Sequence, residues 1–427
     1  MQADALDRLY AAIGRPSGPR PDAGGPRRPQ ESEPRQVLFV AGIDGSPLHY
    51  RVHQKIEQLG LFGFRCVLRR YSDPRIEREL DRSEAVIVYR SPATRELLRF
   101  IRRAHQRGVP VLFDVDDLIF DPDLAETLPT IAHLPAAERQ LWIDGVRRYR
   151  ATLLECGLGI ASTEEIARQM QRVGVPARVH RNGVDTPLAV VSERARRARG
   201  SRLRGPGDEF VIGYSSGTRT HDADLAHVTD ALIDFLGAHT EARLVLGGPL
   251  QASPALLRLG ERVRRLPFIS WERHPDRLAT FDLSLAPLIE GLFNEAKSSI
   301  KWSEAALVEV PTLASASQPF RESVEDGRTG LLARDPVEFR RRLEEAITDR
   351  DRIGRLARAG RLAALAQGSP WVLGRNLVDI LGCAPESGDR HARPGSDDAV
   401  DRWPSEVGVT NLEPAGLRLV KIGRAHV

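Results

Sequence analysis

From Gln36 onward, short apolar runs alternate with longer segments whose apolar positions recur every three or four residues. The runs Val37–Ala41, Arg65–Leu68, Ala85–Tyr89, Val111–Phe113 and Leu158–Ala161 have the length of strands. The segments between them, Tyr50–Leu59, Thr94–Arg107, Glu138–Glu155 and Thr163–Val173, have helical period. Short apolar strands alternating with helices predict a parallel sheet covered on both faces. The charged stretch Ser192–Gly207, SERARRARGSRLRGPG, breaks this pattern. The alternation then restarts, with strands expected at Phe210–Tyr214, Arg243–Leu246, Phe268–Ser270, Leu283–Ala286 and Thr312–Ala314. Helices expected at Val337–Ile347, Arg352–Ala366 and Trp371–Leu381 complete it.

The pattern divides the chain into an α/β domain over 36–190, a linker over 191–207, a second α/β domain over 208–370 and a C-terminal helix over 371–383. Each domain has an ordinary size. Residues 1–35 read as a flexible leader. Within it, 15–34 is rich in Pro, Gly and charge and cannot bury enough apolar surface to order itself. Leu6, Leu9, Tyr10 and Ile13 would share one face of a short helix over 1–14. Residues 384–427 read as a disordered tail. Its last six residues, IGRAHV, match one reading frame of a common sequencing-adapter sequence and are expected to be an assembly artefact.

Composition narrows the class. Of the 427 residues, 41% are hydrophobic and 28% charged, as in a water-soluble globular protein, and no window reaches the roughly 18 uninterrupted apolar residues of a membrane span. Asp4 and Asp7 precede any apolar run, unlike a secretory signal. Three cysteines, Cys66, Cys156 and Cys383, exclude a disulfide framework and a four-cysteine zinc site; they are expected in the core, in a reducing cytosol. The histidines show no metal-ligand spacing, and His49 is expected to be structural or on the surface rather than catalytic. The net charge of +4 arises from interspersed acids and bases and argues against a nucleic-acid partner. Only four of the 62 basic residues are lysine: Lys55, Lys297, Lys301 and Lys421. GC-rich coding accounts for most of the arginine excess and makes each remaining lysine informative.

Ligands of parallel α/β sheets sit beyond the carboxyl ends of the strands, so the strand-to-helix turns carry the candidate chemistry. In Phe293–Ser315, FNEAKSSIKWSEAALVEVPTLAS, a helix is expected to begin near Lys297 or Ser298, with Ser298 or Ser299 as N-cap. Its first turn would offer the Ser299 and Ile300 amides to a phosphate. Lys301, four residues after Lys297, would share its face, and Glu304 would lie on that face too. After the first strand, Gly42-Ile43-Asp44-Gly45-Ser46-Pro47 leads into His49, Tyr50 and Arg51; small residues there let a backbone approach a ligand. In Phe113-Asp114-Val115-Asp116-Asp117-Leu118, alternation would put Asp114 and Asp116 on one side. Three readings stand: Asp116 or Asp117 contacting substrate hydroxyls, a DxD metal site, or helix capping by Asp117.

Four stretches resemble glycosyltransferase family 4, the "glycosyl transferases group 1" enzymes of GT-B type. Arg181-Asn182-Gly183-Val184-Asp185 resembles the family's PNGVD segment. Glu304-Ala305-Ala306 with Val310-Pro311-Thr312 and Ala314 resembles EAMACGVPVVA, and Glu325 to Leu332 resembles EDGENGLLV. Ile212-Gly213-Tyr214 through Gly217-Thr218-Arg219 resembles the first strand and glycine loop of the donor domain. Two departures accompany the match over residues 36–383. The family's first glutamate, eight residues before Glu304, is Ala296 here, with Glu295 one position off, and no lysine follows Arg219.

The resemblance implies two Rossmann-like parallel-sheet domains facing each other across a cleft. It implies a hexosyltransferase-type enzyme that moves a sugar, with retention, from a nucleotide-diphosphate sugar to a hydroxyl acceptor, without a metal or other cofactor. On this reading Gly217, Thr218, Arg219, Lys297, Ser299, Ile300, Lys301 and Glu304 bind the donor, with Glu304 on the ribose. Lys301, Asp116 and Asp117 are the catalytic candidates. Gly45, Ser46, Tyr50 and Arg51 form the acceptor side of the cleft. The implied setting is bacterial polysaccharide or glycoconjugate synthesis in the cytoplasm, with a carbohydrate or lipid-linked acceptor. The 1–14 segment hints at contact with the inner membrane face but lacks the basic face such a helix needs. A nucleotide-sugar epimerase of the same fold, or a nucleotide-sugar-binding module with impaired catalysis, are the alternatives. The alanine at 296 is the best support for the module.

Overall fold

The computed structural model describes residues 35–132, 134–200 and 208–383. The expected amphipathic helix at 1–14, the Pro/Gly-rich stretch 15–34 and the tail 384–427 lie outside them. Two six-stranded parallel sheets form the framework. The first comprises β1 (Gln36–Ala41), β2 (Arg65–Arg70), β3 (Ser83–Tyr89), β4 (Val111–Val115), β5 (Gly159–Ala161) and β6 (Ala177–Val179), in the order β2-β1-β3-β4-β5-β6. The second comprises β7 (Phe210–Ser215), β8 (Ala242–Gly247), β9 (Val263–Leu266), β10 (Leu283–Ala286), β11 (Thr312–Ser315) and β12 (Leu331–Ala333), in the order β12-β11-β10-β7-β8-β9. The strand order reverses between β1 and β3 and between β7 and β10. Crevices at such points receive ligands in open parallel sheets.

The central strands are apolar because helices cover both faces. Every residue of β1 is buried, as are all four of β10. Leu38, Val40, Val86, Val88 and Phe113 face one layer of helices, and Val37, Phe39, Ile87 and Leu112 the other. Helix limits follow local chemistry. Thr94 caps the helix Arg95–Gln106 by accepting from the Leu97 amide at 3.2 Å. Gly157, at φ 71°, ends the long helix Ala136–Cys156.

The structure departs from the expected elements in four places. The stretch Phe268–Ser270 is a loop, because Pro267 ends the preceding strand, β9, two of whose four residues are exposed arginines. The three-residue edge strands β6 and β12 lie outside the expected strands. The span expected as linker starts inside a helix, Thr186–Arg199. Asp185 caps that helix through the Leu188 amide at 3.0 Å, and arginines in its last turn suit the negative end of the helix. The helix expected from Lys297 starts at Ile300, so Lys297 precedes it and the shared helical face does not exist. Ser299 stands at the N-cap, but its hydroxyl meets Ser323 at 2.7 Å and caps nothing.

The domains are stitched together. The C-terminal helix Pro370–Gly382 crosses back to the first domain and buries Leu377 and Ile380 in its core. A loop of the second domain buries Ala296 in the first domain's other core layer, with Leu292 and Phe293 packed against it. Thr163 of the first domain donates to the Ala296 carbonyl at 3.0 Å. Among the described residues, no helix is long and apolar enough to cross a membrane. Cys156 is buried as expected; Cys66 is half-buried and Cys383 exposed.

Candidate functional site

The carboxyl ends of β1, β3 and β4 face those of β7 and β10 across a cleft of about 280 Å³. Ser46, Tyr50, Asp116, Asp117 and Asn182 line it from the first domain; Gly217, Lys297, Ile300, Lys301 and Glu304 line it from the second.

The floor on the first domain's side is a buried charge network. A five-residue π-helical turn, His49–His53, carries Tyr50 and Arg51; such turns re-aim side chains at functional positions. It sends Tyr50 into the cleft and Arg51 beneath it. Arg51 is completely buried, bonded to Asp114 and to the His180 carbonyl at 2.7 Å. Lys55 holds the other Asp114 oxygen at 2.8 Å. Arg51 is therefore part of the support rather than of the cleft wall. Asp114 is held away from the cleft by two cations, and β4 ends at Val115, so strand alternation does not carry to Asp116. Asp114 and Asp116 thus fail to present the paired oxygens of a DxD site.

Asp116 and Asp117 follow β4 and reach the cleft. Asp116 accepts from the Tyr89 hydroxyl at 3.1 Å and from Arg90 at 3.3 Å. Asp117 meets Arg90 at 3.4 Å and Lys297 at 3.1 Å. Burial raises the Asp116 carboxyl from its ordinary value, against the opposite pull of Arg90. Burial acts on Asp117 too, but Lys297 and then Arg90 outweigh it and hold that carboxyl low. Two adjacent acids are thereby made chemically unequal. Arg90, 3% exposed and with φ at 41°, sits at the end of β3. Gly42 makes that placement feasible: a Cβ there would lie 2.0 Å from the Arg90 carbonyl oxygen.

On the second domain's side, Lys301 stands in the first turn of Ile300–Leu307. Its ammonium donates to the Ser215 carbonyl at 2.7 Å and lies 5.4 Å from the centre of the Tyr214 ring. Burial lowers it to about 8, against the opposite pull of Glu304 and Asp224. Glu304 accepts from the Tyr50 hydroxyl across the cleft and lies 3.8 Å from His274. Burial first, then Glu304, push the Tyr50 hydroxyl far up, so it remains a donor. Asn182 reaches Ser298 at 3.3 Å, a further contact between domains.

Some expected site residues lie elsewhere. Arg219 is exposed and pairs with Asp222 and Gln251, and Thr218 bonds to Thr220; neither lines the cleft. Ser299 lines a smaller cavity behind the helix start, which Ile300 shares. Gly45 shapes the turn at φ 87° without lining the cleft. Glu295 accepts from the Gln318 amide at 2.7 Å and does not line the cleft. Sequence reasoning missed Arg90, His221, Phe268, Trp271 and His274. Phe268 is 58% exposed beside the cleft, and Trp271 stacks on His49 with ring centres 3.6 Å apart. His221 bonds through Nδ1 to Asp224 at 2.7 Å. Among the described residues, no group of three or more His, Cys, Asp or Glu side chains is arranged to hold a metal ion.

Two cations from one domain thus face two acids from the other across a cleft closed by paired side chains. That arrangement can grip an anionic group and present it to polar groups of the opposite domain. Two parallel-sheet domains around such a cleft define the GT-B fold of glycosyltransferases. Residues 210–349 match the glycosyl transferases group 1 family, so the second domain is a domain of that family.

Among solved structures, HepE of Anabaena in complex with UDP and glucose is similar at 15% identity and a TM-score of 0.54, over 81% of this chain and 99% of that one. Sucrose-phosphate synthase of Thermosynechococcus elongatus is similar at 14% identity and a TM-score of 0.54, over 81% and 98%. An E. coli structure described as trehalose-6-phosphate bound with UDP-2-fluoro glucose is similar at 10% identity and a TM-score of 0.51, over 82% and 99%. At such identities the likeness establishes the fold. A search of curated protein sequences found no match.

Proposed function

We propose that this protein is a retaining glycosyltransferase that takes a hexose from a nucleotide-diphosphate sugar, in the synthesis of a polysaccharide or other glycoconjugate. The observation that carries the reading is the convergence of Lys297 and Lys301 on the cleft wall opposite Asp116 and Asp117. The GT-B solved structures with UDP, UDP and glucose, or UDP-2-fluoro glucose bound support a nucleotide sugar as the donor.

Breaking the bond between the sugar and the diphosphate leaves negative charge on the departing phosphate and positive charge on the anomeric carbon. Preorganised cations in a site shielded from water stabilise that separation strongly. Lys301 and Lys297, with the Ile300 amide, take the diphosphate. Glu304 accepts from the ribose hydroxyls once Tyr50 yields its place. Asp116 and Asp117 face the transferred sugar and the acceptor hydroxyl. Burial makes Asp116 the weaker acid of the two, and the cations beside Asp117 keep that carboxylate ionised. No step in this scheme is assigned to a metal or other cofactor.

Incubation with nucleotide sugars should release the nucleoside diphosphate and transfer the sugar to an acceptor or to water. One observation favours a second reading. Ala296 is 1% exposed against the first domain, so the position that resembles the family's first glutamate presents no side chain to a sugar. A binding module would hold the donor tightly and leave it intact.

A further inference from the structure

His221 lines the cleft at the junction of the turn Arg219–His221 and the helix Asp222–His227. Its Nδ1 is hydrogen bonded to Asp224 at 2.7 Å. Asp224 is itself 2% exposed and fixed, accepting from the Ile289 amide at 2.9 Å and the Asn294 side chain at 3.0 Å. A carboxylate facing Nδ1 keeps the proton there and leaves Nε2 with a lone pair. Among the described residues, nothing donates to Nε2. Burial, followed by the nearby Lys301, lowers the ring to about 4, so it is neutral at physiological pH.

The other strong acceptors of the cleft already meet protein donors. Asp116 has Tyr89 and Arg90; Asp117 has Lys297 and Arg90; Glu304 has Tyr50. His274 turns its Nε2 toward Glu304, which favours a proton on that nitrogen. His221 is thus a preorientated neutral acceptor lining the cleft. A diphosphate offers only acceptors and cannot satisfy that nitrogen; a hydroxyl can. His221 also lies close enough to Asp117 and Lys297 for each pair to interact electrostatically. Asp117 belongs to the first domain and Lys297 pairs with it, so His221 lies within electrostatic reach of the groups proposed to face the transferred sugar.

We infer that His221, oriented by Asp224, accepts a hydrogen bond from a hydroxyl of the transferred sugar and helps select that sugar. The inference rests on the nucleotide-sugar reading above. It supplies a sugar contact from the loop after β7, on a different segment from Ala296.

The test is calorimetric binding to the full chain of UDP and GDP, and of UDP-glucose, UDP-N-acetylglucosamine and GDP-mannose. For the sugar donor that binds, His221→Ala should weaken affinity about fivefold to tenfold, as expected for one lost hydrogen bond, while the matching free diphosphate changes less than about twofold. His221→Gln, which keeps an accepting oxygen, should recover part of the loss, and both variants should melt near the wild-type temperature. Equal weakening of diphosphate and sugar donor, or no weakening of either, overturns the assignment. If wild-type protein binds neither diphosphates nor nucleotide sugars, the glycosyltransferase reading itself falls, and this inference with it.

Discussion

Replacing Lys301 by methionine removes one charge and nearly preserves the length of the side chain. The lysine's stem lies in the cleft wall, and its ammonium holds the Ser215 carbonyl at 2.7 Å. If the ammonium also grips the diphosphate, the variant loses one charge-assisted hydrogen bond, about 1.5–3 kcal/mol, or roughly tenfold to 150-fold in Kd. A second signature follows from its burial, which lowers its pKa to about 8. Below that pH the side chain is charged. Above it the charge is lost, so wild-type affinity for the nucleoside diphosphate should fall by up to about tenfold per pH unit. An ordinary lysine would keep its charge about two units further. Calorimetric titration with UDP and GDP between about pH 7.5 and about pH 9.5 reads both effects. The Lys301→Met profile should be flat in that window. Lys55, lowered to about 7 by burial, is paired to Asp114 below the cleft and is common to both proteins, so it cancels in the comparison. Equal affinities for wild type and variant, or a flat wild-type profile, would refute the phosphate role.

Two further outcomes are expected. Glu304→Ala should weaken nucleotide binding, whereas Tyr50→Phe, which removes only the bond to Glu304 across the cleft, should not; unchanged calorimetric affinity in Glu304→Ala removes the ribose assignment. Asp114→Asn would leave Arg51 and Lys55, 0% and 1% exposed, without their counter-charge, costing about 3–5 kcal/mol; an unchanged denaturation midpoint in urea would show that the network is not structural.

The sheets were legible in the sequence wherever strands are central. Val37–Ala41 and Leu283–Ala286 are continuous apolar runs because helices cover both faces. The edge strand Val263–Leu266 hid behind two exposed arginines, and the more apolar Phe268–Ser270 beside it is a loop at the cleft. Lys297 and Lys301 stood out because lysine is so rare in this chain, and both do reach the cleft. The spacing implies a shared helical face, but the helix starts at Ile300 and the loop before it brings Lys297 to the cleft. Arg219 and Arg51 show the limit of reading depth from a loop. The first turns outward onto Asp222 and Gln251, and the second is drawn beneath the cleft by Asp114. Arg90, His221, Trp271 and His274 left no local signature. Their role depends on two distant segments meeting, which no periodicity records.

The central claim is that a nucleotide sugar is cleaved and its sugar transferred with retained configuration. Proton NMR of the purified full chain with UDP-glucose, UDP-N-acetylglucosamine or GDP-mannose, with and without an oligosaccharide acceptor, follows donor and product anomers together. The account predicts loss of one donor, stoichiometric appearance of its nucleoside diphosphate, and a first-formed product with the donor's anomeric configuration, all suppressed in Lys301→Met. Tight binding of a donor that stays intact, or an inverted first product, would contradict it.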